Sequence, residues 1–315
     1  MSYLKLKSKT SSPSILYKKI SKSHIRRIIK IDKDGVANIP FDITKLPFNC
    51  FYNTCLKSII IPTNITKLCA KCFSGQNFLT SVILPSTLKE IEYKCFKNCR
   101  SLSNITLPNS LTYLGDSNFS KCKCLISVDF SSTLTHIPEK CFFKCEDLKS
   151  ITIPDSVTYI GEKSFSCCYS LKSIEIPNSV TYLDYSCFKY CGKLKSVKLS
   201  TSLTEITPEC FYSCYELSSI KIPDNIEAIG SKCFKDCFML KSIKLPTNLK
   251  YIDDKTFSEC IYLESIELPP SIEDIGDKCF ENCKRLSELK YPSSLKNIGE
   301  NYIINCKQLT KIEIY

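Results

Sequence analysis

Residues 171–193 read LKSIEIPNSVTYLDYSCFKYCGK, and this stretch carries the pattern that decides the fold. The clearest marker of the pattern is a phenylalanine that recurs every 23 residues from Phe73 to Phe280. A leucine follows each of these phenylalanines by six residues, from Leu79 to Leu286. A fixed period of this kind means that each repeat buries its apolar side against its neighbours. The sequence therefore predicts a solenoid.

Each repeat divides into three segments. The LxxIxI segment alternates apolar and polar residues like a short strand, and a proline that cannot donate to a ladder often ends it. The LxxIG segment is a second extended piece. In the CFxxC segment, the phenylalanine and the second cysteine would share one face of a helical turn. The prediction is an α/β architecture of parallel strand ladders joined by short helical turns, with about 11–12 repeats.

The consensus CFxxCxxLxxIxIPxxLxxIGxx resembles the BspA-like subclass of leucine-rich repeats, which occurs in bacteria and is greatly expanded in parasitic protists. The resemblance covers residues 39–315, so residues 1–38 are predicted to form a separate basic N-terminal segment. It implies a leucine-rich-repeat solenoid wound as a right-handed superhelix or arc. It also implies a surface or interaction protein without catalysis.

The basic character of the chain is concentrated at its N-terminus. Residues 1–37 carry ten basic and two acidic side chains, which is +8 of the net charge of +11. This segment is predicted to cap the apolar end of the first repeat, as solenoids require. The alternative is an amphipathic helix within residues 1–35, including Leu16 and Ile20, that binds an anionic membrane surface. Nucleic acid is disfavoured as a partner because the segment lacks interleaved aromatic residues.

The motifs of catalysis and export are missing from the sequence. There is no nucleophile elbow, phosphate loop or HExxH motif, and the two histidines, His24 and His136, lie far apart. We therefore expect neither an enzyme nor a cofactor. No apolar run reaches the length of a transmembrane helix or a signal peptide, which favours a cytoplasmic protein. The alternative location is the cell surface, reached by unconventional export.

The 22 cysteines follow the same period. Nine lie three residues after a phenylalanine, Cys306 lies three residues after Ile303 in the same column, and eight lie directly before a phenylalanine. Small apolar side chains beside a core phenylalanine are predicted to be packed, reduced thiols. Disulfides between adjacent repeats are the first alternative, and zinc ligands at CxxxC spacing are the second.

The outward residues of the LxxIxI strands form the predicted binding face. One outward position is almost always serine, and the other varies in charge. We predict that the varied position selects a protein partner, with a solvated face as the alternative. The candidate residues of this face are Glu175, Ser196, Lys198, Ser219, Lys221, Ser242, Lys244, Glu267 and Lys290.

Two apolar features extend this prediction. Phe238, Met239, Ile261 and Tyr262 lie between the cysteine and leucine columns of two repeats, where they form either an exposed contact patch or local packing. Tyr113, His136, Tyr159 and Tyr182 occupy one outward column, where mutual stacking is favoured over a recognition stripe.

The last repeat keeps its apolar columns at Leu309, Ile312 and Ile314. An uncovered strand invites pairing with another chain, so a weak homodimer through the C-terminal repeat is predicted. Together the observations predict a protein–protein interaction module whose partner is unknown. It would act either as an intracellular regulatory scaffold with a membrane-attracted N-terminus or as a cell-surface adhesin exported without a classical signal.

Overall fold

The computed structural model describes residues 2–6 and 16–20 as strands and residues 28–315 in full. The chain divides into two compact units, Met1–Leu134 and Thr135–Tyr315, called here the first and second units. Both are β-solenoids of the leucine-rich-repeat type, and together they contain about twelve turns. This confirms the predicted solenoid and its parallel ladders.

The LxxIxI segments form the longer strands, and these pair in parallel with the equivalent residue of the next turn. In the first unit they are Val36–Ala37, Ser58–Ile60, Ser81–Ile83, Asn104–Thr106 and Ser127–Asp129. In the second unit they are Ser173–Glu175, Ser196–Lys198, Ser265–Glu267, Glu288–Tyr291 and Lys311–Ile314. Single parallel bridges at Lys198, Lys221 and Lys244 continue the row between these strands. The outward surface of these strands is called the ladder face below.

The LxxIG segments form a second parallel ladder of two-residue strands. In the first unit these are Lys67–Leu68, Glu90–Ile91 and Tyr113–Leu114. In the second unit they are His136–Ile137, Tyr159–Ile160, Tyr182–Leu183, Glu205–Ile206, Ala228–Ile229, Tyr251–Ile252, Asp274–Ile275 and Asn297–Ile298. In most of these strands the first residue faces outward and the second is buried.

The prediction of short helical turns is wrong, because residues 29–315 contain no helix. Left-handed residues stand two positions before and two positions after the core phenylalanine, as Ser186 (φ 57°) and Tyr190 (φ 63°) do around Phe188. A right-handed α-helix cannot continue through such residues. The Phe188 N–H instead donates to the Cys210 carbonyl of the next turn, at 2.9 Å. The fold is therefore a β-solenoid rather than an α/β one, and the outward surface of these segments is called the turn face.

The phenylalanines form the centre of the core in each unit. Their rings stack nearly parallel, with centroids 5.0 to 5.6 Å apart between Phe51 and Phe119. In the second unit the spacing is 5.4 to 5.6 Å from Phe142 to Phe280. The leucines six residues later, such as Leu194 and Leu217, are fully buried beside the stack.

The cysteines three residues after each phenylalanine have a specific role in this core. The Cys191 thiol donates to the Phe165 carbonyl of the preceding turn at 3.2 Å, and the Cys214 thiol donates to the Phe188 carbonyl at 3.3 Å. Eighteen of the 22 cysteines are buried, and none of the described cysteines forms a disulfide. The column therefore holds a small side chain whose weak donor is satisfied by the backbone.

We expect thiol reactivity to follow burial. Brief alkylation of the reduced native protein should modify the exposed Cys55 and Cys124 first and leave the core thiols unmodified until the chain unfolds. Burial raises the pKa of Cys168, Cys214 and Cys233 well above the ordinary value, so little reactive thiolate is present at neutral pH. Mass spectrometry of digests can follow each site, and early labelling of Cys214 would contradict the prediction.

The N-terminal residues that the structure describes pair as strands. Ser2–Leu6 lies antiparallel to Leu16–Ile20, so the predicted amphipathic helix is wrong for these residues. The solenoid ladder already includes Val36–Ala37, which pairs in parallel with Ser58–Ile60. The capping and membrane-binding predictions fall mainly on residues outside those described, and they stay predictions.

Candidate functional site

The ladder face of the second unit brings the predicted charged residues into one row. Glu175 and Lys198 are paired in register on neighbouring strands, and their side chains form an ion pair. Lys290 lies 3.5 Å from Glu313 and 3.6 Å from Glu288, measured from the ammonium nitrogen to a carboxylate oxygen. The positive charges of Lys198 and Lys290 are therefore compensated by ion pairs within the protein.

Lys221 and Lys244 differ from their neighbours. They are exposed and joined in register by a parallel bridge, which places their backbones about 4.8 Å apart. Among the residues that the structure describes, no carboxylate forms an ion pair with either ammonium group. Lys198, Lys221 and Lys244 occupy the same outward position on three consecutive turns, and of these three only Lys221 and Lys244 lack an ion pair among the described residues.

The serine column runs beside this pair. Ser196, Ser219 and Ser242 are all exposed, and Ser196 is in register with Ser173 of the preceding strand. Because a serine side chain is short, the column leaves the lysine side chains accessible from the solvent. Farther along the face, Thr152, Pro154, Glu175, Pro177 and Lys198 line a shallow groove of about 650 Å³.

The ladder face of the first unit has a different chemistry, which the sequence reasoning missed. Ile60 and Ile83 occupy the varied outward position, are paired in register and are 61% and 55% exposed. The repeat pattern could have predicted this exposed apolar pair. Both residues directly follow the inward apolar residue of LxxIxI, as Lys198 does, so they occupy an outward position. The varied column is thus apolar at the first two of these turns, polar at Thr106 and Asp129, and mostly charged in the second unit.

Two residues of the aromatic column of the second ladder, Tyr159 and Tyr182, pack against each other. The rings of Tyr159 and Tyr182 are stacked with centroids 5.9 Å apart and an angle of 3° between their planes. The Tyr159 hydroxyl donates to the Asp184 carboxylate, which holds the ring in place. This geometry is that of a stiffening stack rather than of a free recognition stripe.

The predicted apolar patch lies on the turn face of the second unit. Phe238, Ile261 and Tyr262 are half-buried, whereas Met239 is 41% exposed. The Phe238 ring stacks on Tyr215 at 5.1 Å, and the Arg285 guanidinium lies 4.2 Å from the centroid of the Tyr262 ring. The structure thus brings the four residues together and extends the patch to Tyr215.

The last strand, Lys311–Ile314, pairs in parallel with Glu288–Tyr291. Ile312 and Ile314 are 44% and 59% exposed, as the predicted homodimer contact needs. Ion pairs from Lys311 to Glu288 and Glu313 place charge along the same edge. The homodimer stays a prediction.

A comparison with known protein families identifies the family of this chain. Residues 44–170, 115–240 and 228–315 match the model of the BspA type leucine rich repeat region. The chain belongs to this family. The BspA-like resemblance of the repeat is therefore confirmed. No curated protein matches the chain by sequence.

Solved structures of other leucine-rich repeat proteins resemble this BspA-type protein. One from Bacteroides ovatus is 25% identical, with a TM-score of 0.60 over 88% of this chain and 86% of that one. A leucine rich cell surface protein from Faecalibacterium prausnitzii is also 25% identical, with a TM-score of 0.59 over 91% and 92%. A pneumococcal vaccine antigen, at 21% identity and a TM-score of 0.54 over 83% and 68%, shows the fold alone.

Leucine-rich repeat families are typically non-enzymatic. Within the described residues, no group of three or more histidine, cysteine, aspartate or glutamate side chains is arranged to hold a metal ion. The described part of the chain also has no helix with the length and apolar character that crossing a membrane requires.

Proposed function

We propose that this protein is a non-enzymatic interaction module that binds a protein partner through the ladder face of its second unit. The observation that carries the proposal is the pair Lys221 and Lys244. These lysines are exposed and uncompensated in a row where Lys198 and Lys290 are both ion-paired. An acidic patch on the partner would supply the missing negative charge.

The physical argument rests on rigidity and charge. Lysines on adjacent turns repel each other, and an opposing carboxylate group relieves that repulsion. Their backbones are held by the parallel ladder, so the points from which the two side chains extend are fixed before the partner arrives. Complementary charge raises the association rate and selects against basic partners.

The cellular setting has two candidates. The similarity to a protein described as a leucine rich cell surface protein favours a surface adhesin. The free, buried thiols favour an intracellular regulatory scaffold, because extracellular proteins of this cysteine content usually carry disulfides. Protease treatment of intact cells separates them, since only a surface protein is cleaved before lysis.

The ladder-face proposal is tested by reversing both charges, Lys221→Glu with Lys244→Glu. Tagged wild-type and variant proteins are used to capture partners from an extract of the producing cells, with quantification by mass spectrometry. We expect partner capture to fall by about tenfold, and more at low salt than at high salt. The melting temperature should hardly change, because both side chains are exposed.

The matched control is Lys284→Glu with Lys307→Glu. These two lysines are also exposed, also lie on consecutive turns and form no ion pair among the described residues, but they lie on the turn face. Capture should survive in this control. Equal loss in both double variants, or loss in neither, would show that the ladder face is not the binding surface.

A further inference from the structure

A cleft lies on the turn face of the second unit, outside the ladder face. It has a volume of about 710 Å³. Its walls are the rings of Phe143, Tyr169, Tyr190 and Tyr215, and its floor includes the buried Cys167. The repeat pattern does not reveal the cleft, because its aromatic residues come from three different columns of the repeat. It adjoins the apolar patch through the stacking of Tyr215 on Phe238.

The cleft is open because one turn lacks a side chain. Gly192 occupies the position that Tyr169 holds one turn earlier and Tyr215 holds one turn later. A Cβ atom built on Gly192 would lie 3.2 Å from the Tyr215 ring, so the ring leans into the space that glycine leaves. The backbone of Gly192 is not left-handed, so conformation does not demand glycine there. The missing side chain at Gly192 therefore determines the shape of the cleft.

The charge of the cleft has one sign. Its ionisable rim consists of Lys140, Lys144, Lys163 and Lys189, and no carboxylate lines it. Three of these lysines are ion-paired to glutamates that lie outside the lining, as Lys189 is to Glu209 at 2.5 Å. Lys144 has no such ion pair among the described residues and lies 5.4 Å from the centroid of the Phe143 ring. Lys144 is therefore the cation that is available to a ligand.

The Tyr190 wall is held in place before any ligand arrives. The Lys189 ammonium lies 4.5 Å from the ring centroid of Tyr212 and 5.2 Å from that of Tyr190. The side chains of Lys189 and Glu209 are only 18% and 12% exposed, so this cluster is fixed by packing. A prearranged aromatic surface binds with little loss of side-chain entropy.

We propose that this cleft binds a peptide segment that carries an aromatic or large aliphatic side chain next to a carboxylate. The apolar side chain would enter between Tyr169 and Tyr215, and the carboxylate would pair with Lys144. A nucleic acid strand fits less well. It would carry its phosphates past Glu139 and Glu162, which already pair with the rim lysines, and past the exposed Asp147.

The absence of tryptophan from the protein makes a direct assay available. The probe is the blocked pentapeptide Gly-Glu-Trp-Glu-Gly, whose tryptophan emission shifts to the blue when the indole enters an apolar cleft. We expect a saturable shift with this probe and at least about tenfold weaker binding of Gly-Lys-Trp-Lys-Gly. A ten-residue oligothymidylate tests the polyanion directly.

Two variants remove the cleft and one removes its cation. Gly192→Leu fills the opening, and Tyr215→Ala removes a wall that is 41% exposed, so the core survives. Each should weaken peptide binding by at least about tenfold. Lys144→Gln should weaken it by about threefold, as expected for a partly exposed ion pair. Lys284→Gln, on the same face outside the cleft, should bind like the wild type.

The outcomes separate this proposal from the ladder-face function. The Lys221→Glu, Lys244→Glu variant should bind the pentapeptide normally. The cleft proposal fails if the pentapeptide gives no saturable shift or if the lysine-flanked peptide binds equally well. It also fails if folded Gly192→Leu and Tyr215→Ala both bind like the wild type. Tighter binding of oligothymidylate that the same two variants abolish would replace the peptide with a nucleic acid.

Discussion

Raising the pH from about 8 to about 10 is expected to unfold the reduced protein cooperatively. The reason is the two columns of buried cysteines in the core, one directly before the phenylalanines and one three residues after them. In the second unit alone, burial raises the pKa of ten thiols above their ordinary value of 9.0, with Cys210 at about 12. The others are Cys168, Cys187, Cys191, Cys214, Cys233, Cys237, Cys260, Cys279 and Cys283.

The direction of the effect follows from proton binding. In the unfolded chain these thiols ionise near pH 9, whereas in the folded protein they stay protonated because a buried thiolate would lose its hydration. The stabilisation is therefore complete below about pH 9 and is lost as the pH rises above it. Each thiol contributes up to about 1.4 kcal/mol per pH unit, so ten contribute on the order of 14 kcal/mol per unit. That is comparable to the whole free energy of unfolding of a typical domain, about 5–15 kcal/mol.

Circular dichroism and thiolate absorbance, recorded together in the presence of a phosphine reductant, measure this transition. We expect the two signals to change in one step. Thiolate absorbance below about pH 10 that exceeds what the four cysteines outside the buried core can give, while the circular dichroism stays native, would contradict the explanation.

Cysteine-to-serine variants provide the control. Cys191→Ser, Cys214→Ser and Cys237→Ser together remove three ionisable groups but keep a hydroxyl that can donate to the same phenylalanine carbonyls. Their unfolding free energy should depend less steeply on pH. Replacing the exposed Cys55 and Cys124 by serine should leave the pH dependence unchanged.

Phe211→Ala is expected to lower the free energy of unfolding by about 3–5 kcal/mol. The Phe211 ring is fully buried, and its centroid lies 5.6 Å from those of both Phe188 and Phe234. The adjacent turns are held apart by parallel ladders, so the surrounding core cannot collapse into the space that the ring leaves. Denaturant unfolding monitored by circular dichroism gives the value.

Tyr215→Ala is the matched control for this prediction, because it removes an aromatic ring from the same turn. Tyr215 is 41% exposed, and its loss should cost less than about 1 kcal/mol. Phe211→Leu should fall between the two variants, since leucine keeps much of the buried area. Equal losses from Phe211→Ala and Tyr215→Ala would show that the stack is not the main source of stability.

The period of the sequence was sufficient to predict the solenoid, the two strand segments and the buried positions. An inward residue such as Ile174 alternates with outward neighbours within its own strand, so the pattern is local and readable. The 23-residue spacing of the phenylalanines predicted that they would form a common core. Both inferences need only the chain's own periodicity.

The conformation of the turns could not be read in this way. The CFxxC spacing is compatible with a helical turn, but Ser186 and Tyr190 are left-handed because the backbone between them bonds to the next turn. That choice depends on a hydrogen-bonding partner 22 residues away. Local spacing therefore predicted a helical turn at a place where the backbone instead forms hydrogen bonds to the next turn of the solenoid.

The sequence by itself determined that the chain stacks and which side chains face the core, because a strict period leaves each repeat unable to bury its apolar residues alone. Only the tertiary structure decided which surface charges and rings remain available. Lys198 is neutralised by Glu175 from another turn, whereas Lys221 is not, and Tyr215 leans over Gly192 to form one wall of the cleft. These differences arise from contacts between residues one turn or more apart, which a repeating pattern makes look equivalent.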